Sequence, residues 1–97
     1  MKSHDAAEAR SLLDNPSLSE TSLPDGTMLI LDMDRHQVLS ASPVGAFVIK
    51  ELRGGVDSLP ALTARIVAEF DVEAGQAERD VAAFLRQVVE ALSPATE

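Results

Sequence analysis

The segment Asp32-Met33-Asp34-Arg35-His36 sets two carboxylates and an imidazole on alternate residues, and alternate residues of an extended strand share one face. Asp and His both ligate divalent metals, so coordination chemistry is sought here first. The same residues suit a hairpin turn, where an Asp side chain bonds nearby backbone N–H groups, and the turn reading is preferred. His4 is the other histidine, and neither falls in the paired i, i+4 pattern of a helical metal site. No Ser, His and acid arrangement marks a nucleophile. Gly54-Gly55 follows a helix instead of opening one, the wrong orientation for holding a phosphate. The sequence is therefore expected to carry no catalytic residue, metal or cofactor.

Residues 75–92, GQAERDVAAFLRQVVEAL, pose a different question. They read as a helix with one apolar stripe of Ala77, Val81, Phe84, Leu85, Val88 and Leu92. A second flank carries Asp80, Ala83, Phe84 and Gln87 at spacings of three and four, which place them on one face. That flank is either solvated surface or one wall of a groove. Each residue has a plainer reading: Phe84 as core, Ala83 as a good helix former, Asp80 and Gln87 as solvated side chains. Glu78, Arg79 and Asp80 could recognise charge, although acids near a helix start are favoured by the dipole alone.

Bulk properties narrow the function classes. Ninety-seven residues form one domain, with a core too modest for a deep enclosed active site. Sixteen acids against eight Lys and Arg give a formal charge of −8, a field that repels nucleic acid and anionic membrane. The chain has no cysteine, the opening MKSHDAAEAR has no apolar h-region, and no apolar run reaches membrane-spanning length. A cytoplasmic location is expected.

The elements that must position any site follow from pattern and punctuation. Residues 1–16 form an N-terminal extension whose positions 4–13 have good helix formers but a thin stripe, Ala6, Ala9, Leu12 and Leu13. So short a helix is marginal without docking, and Asn15-Pro16 ends it. SLSETSL from Ser17 is a weak edge strand, and Pro24-Asp25-Gly26 supplies a turn. TMLILDM is a central strand, and HQVLSA from His36 is a third, which together make an antiparallel meander. Ser42 then caps a helix with Pro43 at its first position. Arg53-Gly54-Gly55 stops that helix, Ser58 and Pro60 start a second, and the helix quoted above is the third. Residues 17–92 thus read as an α+β domain, a three-stranded antiparallel sheet followed by three helices, with a frayed tail at 93–97.

The helical half, GAFVIKELRGG, then SLPALTARIVAEFDV, then AERDVAAFLRQVVEAL, resembles the PqqD family, small proteins named for pyrroloquinoline quinone biosynthesis and related to recognition domains of ribosomally made, modified peptides. The resemblance covers about residues 23 to 92, and ERDVAAFL after the Gly-Gly stop is its most specific piece. It implies a winged-helix-like domain that binds the leader segment of a precursor peptide and presents it to a modifying enzyme, often a radical-SAM protein. As the resemblance implies it, the leader adds as a strand beside His36, Gln37, Val38, Leu39 and Ser40 and lies against Asp80, Ala83, Phe84 and Gln87. An edge strand has unpaired N–H and C=O groups, so an extended guest can satisfy them whatever its side chains.

The chain departs from the family pattern at Ala41-Ser42, where Leu-Asn is usual, and at Glu51, where an apolar residue is common. Arg53 stands where an acid often precedes the glycine, and Ala91 where glycine is frequent. The quinone product is therefore not assumed. Two rivals share the architecture. One is a DNA-binding winged helix, for which the last helix offers only Arg79 and Arg86 among several acids. The other is an interaction subunit with no peptide substrate, whose edge strand pairs with another protein or with a second copy in a homodimer.

Overall fold

The structure is a computed structural model that describes residues 4–93. Of the frayed tail expected at 93–97, residues 94–97 lie outside the described residues. The element order is α1 (His4–Leu13), β1 (Leu18–Ser22), β2 (Met28–Asp32), β3 (Gln37–Ala41), α2 (Pro43–Arg53), α3 (Leu59–Phe70) and α4 (Ala74–Leu92). The three strands form one antiparallel sheet in the order β1-β2-β3, with Ile30 opposite Glu20 on one side and Leu39 on the other. The expected α+β class and the sheet followed by three helices are what the chain adopts.

Local chemistry sets the boundaries. Gly26, at φ 94°, closes the first hairpin, where the Asp25 carboxylate accepts from Thr27 N at 2.9 Å. Ser42 Oγ accepts from Gly45 N at 3.2 Å and Ser58 Oγ from Ala61 N at 3.3 Å, so both serines cap the helices they precede. Asp71 ends α3 in the left-handed conformation, and the Glu73 carboxylate caps α4 by accepting from Gln76 N at 3.0 Å.

One core joins every layer. Met28 and Ile30 of β2 and Leu39 and Ala41 of β3 turn inward to meet Val48, Ile49 and Leu52 of α2, Leu62 and Ile66 of α3, and the stripe Ala77, Val81, Leu85, Val88 and Leu92 of α4. Phe47 and Phe70 lock α2 to α3 edge-to-face, with ring centroids 5.4 Å apart.

The N-terminal helix forms and belongs to this core through buried Ala6, Ala9 and Leu13. Two arginines fasten it reciprocally: Arg10 Nε donates to the Leu52 carbonyl at 3.1 Å, and Arg53 Nη2 to the Leu13 carbonyl at 3.2 Å. Each satisfies a carbonyl in the last turn of the other helix.

Candidate functional site: a free strand edge beside a helical groove

The hairpin contacts fix which strand groups are free. Leu23 N donates to the Thr27 carbonyl and Met33 N to the Ser17 carbonyl, so these two pairs frame the β1–β2 ladder. Hydrogen-bonded and non-bonded pairs alternate between them, which turns the main-chain groups of Leu29 and Leu31 toward β1 and those of Met28, Ile30 and Asp32 toward β3. On β3 their partners are Ala41, Leu39 and Gln37. The N–H and C=O groups of Val38 and Ser40 therefore point away from the sheet, and no strand among the described residues pairs with that edge.

Side chains alternate in the same way. Leu39 is 2% exposed and part of the core, whereas Val38 is 59% exposed on the face away from the helices. His36 closes the turn with φ 57° instead of beginning the strand, because a left-handed residue cannot continue the ladder. Of the five residues proposed on this segment, Val38 and Ser40 thus present outward main-chain groups, Gln37 and Leu39 spend theirs on β2, and His36 lies in the turn.

Where β3 ends, Asp80, Ala83, Phe84 and Gln87 lie together on α4 and, with Val81, line a cavity of about 330 Å³ whose other wall is Ser42 and the α2 residues Val44, Gly45 and Val48. Phe84 is both core and wall, since it is half-buried and packs on the central cluster. Gly45 makes room for it: a Cβ there would stand 2.8 Å from Phe84 Cε1 and 3.2 Å from Ala41 Cβ. Asp80 sits at the rim, exposed, with Gln76 Nε2 donating to it at 2.8 Å and Arg79 donating in turn to Gln76. The arrangement offers an extended chain a ladder partner on one side and an apolar floor with polar rims on the other.

Sequence reasoning missed the α2 side of this cavity. Gly45 was the available signal, because a glycine inside a helix costs about 1 kcal/mol against alanine and usually has a packing reason.

The Asp32–His36 segment is a turn in which both carboxylates are engaged, Asp34 by accepting from Ser17 Oγ at 2.6 Å. Asp32, 1% exposed, accepts from Asp34 N, Arg35 N and Arg35 Nε, the last at 3.0 Å. Burial raises its carboxyl, but the Arg35 side-chain bond, the Arg35 and Asp34 N–H groups and the Arg35 charge outweigh it, so Asp32 titrates below its ordinary value. Arg35 also donates to the Leu92 and Ser93 carbonyls at the end of α4.

Fold and site together define a winged-helix-like α+β domain with an open strand edge beside a helical groove. Residues 27–91 match the family described as Coenzyme PQQ synthesis protein D (PqqD), and the chain belongs to that family. No curated protein matches it. Among solved structures it is similar to "Lasso peptide synthetase B1 complexed with the leader peptide", at 26% identity over 80% of this chain and 89% of that one, with a TM-score of 0.68. It shares the fold of "TbiB1 in Complex with the TbiA(beta) Leader Peptide", at 21% identity over 86% of this chain and 96% of that one, with a TM-score of 0.67. Among the described residues no helix is long and apolar enough to cross a membrane.

Proposed function

We propose that this protein binds the leader segment of a ribosomally made precursor peptide as a fourth strand on β3 and presents the peptide to a modifying enzyme, itself taking no part in the chemistry. The observation that carries this reading is the outward-facing Val38 and Ser40 main chain next to the Phe84–Gly45 groove. Family membership supports it, as do two similar structures that each hold a leader peptide. Their contribution is the class of guest.

The other sheet edge is a poorer acceptor. Glu20 on β1 pairs with Arg53, and charge of this kind on an edge strand discourages strand addition. No comparable pair guards Val38 or Ser40 among the described residues. A guest on β3 gains up to four main-chain hydrogen bonds at about 0.5–1.5 kcal/mol net each, while the groove selects one apolar side chain and Asp80 a basic or amide neighbour. Duplex DNA fits worse, because a formal charge of −8 opposes the phosphate backbone.

The finer partner assignment is a radical-SAM enzyme, on the family resemblance, working in the cytoplasm on the product of a short neighbouring reading frame. Affinity purification of the protein from its own cells tests both assignments. Recovery of a short precursor peptide together with a radical-SAM enzyme supports them, and recovery of a different maturation enzyme with the peptide replaces the enzyme assignment alone. A preparation containing only further copies of the chain, or partners without a precursor, contradicts the function.

A further inference from the structure

One guanidinium joins the turn that opens β3 to the last turn of α4. Arg35 Nε lies 3.0 Å and Nη2 2.9 Å from Asp32 Oδ2, Nη2 also donates to the Leu92 carbonyl at 2.5 Å, and Nη1 donates to the Ser93 carbonyl. These two carbonyls belong to the helix end, where intrahelical donors run out. At the other end of β3, Ala41 and, from the middle of α4, Phe84 both pack against Gly45. Strand β3 and the C-terminal half of helix α4 therefore run side by side in opposite directions, held by the guanidinium at one end, and the groove between α4 and α2 opens where β3 ends, at Ser42.

We propose that Arg35, oriented by Asp32, is a positioning residue for that groove: it sets the separation between the β3 edge and the Asp80–Gln87 flank at which a guest strand fits. The inference rests on the leader-binding reading above. A bond from Asp32 to the backbone would be enough to close the turn, and water could satisfy an exposed helix end. A buried carboxylate is costly unless paired, and here it aims a rigid, planar donor at a second element. The Phe84 contact is apolar and can slide, whereas the guanidinium fixes direction as well as distance.

The test uses the full chain, which has no cysteine of its own, so Val38→Cys and Gln87→Cys admit a pair of spin labels without background. The distance distribution between the labels is expected to broaden or shift on Arg35→Gln and to stay as it was on Phe70→Ala, which loosens the α2–α3 contact away from the clamp. In unlabelled protein, Arg35→Gln should weaken binding of a synthetic peptide copying the leader of the neighbouring precursor by about tenfold, with Phe70→Ala within about twofold, as for residues that act without touching a ligand. Both affinities are read where circular dichroism shows folded protein. Should Arg35→Gln fail to fold, Arg35→Lys keeps the charge without the planar bridge and carries the same expectation. An unchanged label distance, or equal losses of affinity in the Arg35 and Phe70 variants, overturns the positioning role. If the wild-type protein binds no leader yet the distance still responds to Arg35, the leader reading falls and the clamp stands.

Discussion

Val38 separates two ways in which a peptide-binding edge can fail. Its N–H faces away from β2, so Val38→Pro removes no bond of the sheet, and proline is tolerated on an edge strand. The variant should keep a wild-type circular dichroism spectrum while affinity for leader peptide drops about fivefold per lost hydrogen bond of about 1 kcal/mol. A collapsed spectrum would place that N–H on the inner side of the strand. Gly45 probes the opposite wall. In Gly45→Ala the new methyl meets the Phe84 ring at 2.8 Å, so the ring must shift and the groove that both residues line changes shape. Better helix propensity, at about 1 kcal/mol, offsets part of an overpacking cost of about 1–3 kcal/mol. Calorimetry should therefore find stability lowered by at most about 2 kcal/mol and peptide affinity reduced; unchanged affinity would mean that the Phe84 pocket is not used.

At the scale of elements, most of the architecture was legible because each boundary has a local cause. Ser42-Pro43, Ser58-Pro60 and Pro24-Asp25-Gly26 supply caps and a turn without help from distant residues. What escaped depends on partners far along the chain. The α1 stripe is thin, and the helix is held by Arg53 and Leu52, roughly forty residues away. Two residues at the end of α2 make further long-range ties: Arg53 joins α1 to Glu20 of β1, and Glu51 accepts from Arg65 of α3 at 2.9 Å. The groove flank on α4 was readable from spacing, but the α2 wall and the left-handed His36 required coordinates. If α1 is integral to the fold, Leu13→Ala should cost about 2–5 kcal/mol. At about 4–8 °C per kcal/mol the melting temperature should fall by at least about 8 °C. A shift of a degree or two would make α1 a dispensable appendage.

For the whole molecule, a single core couples the sheet edge to all four helices, and one buried acid links that core to pH. The folded-state carboxyl of Asp32 lies below its unfolded value of about 3.9, so its contribution is complete above that value and disappears as pH falls through the depressed one. Melting temperature should thus drop more steeply as pH falls below about 4 in the wild type than in Asp32→Asn, which starts lower and has no proton to take up. Parallel curves would contradict the assignment of Asp32 as a charged anchor. The central claim is that an extended guest pairs with β3 under the shelter of α4, and a titration of isotope-labelled protein with leader peptide, followed amide by amide, tests it most directly. The account predicts the largest shifts at Val38, Ser40 and the Asp80–Gln87 flank, with β1 nearly silent. Shifts centred on Leu18–Ser22, or none along β3 at saturating peptide, would contradict it.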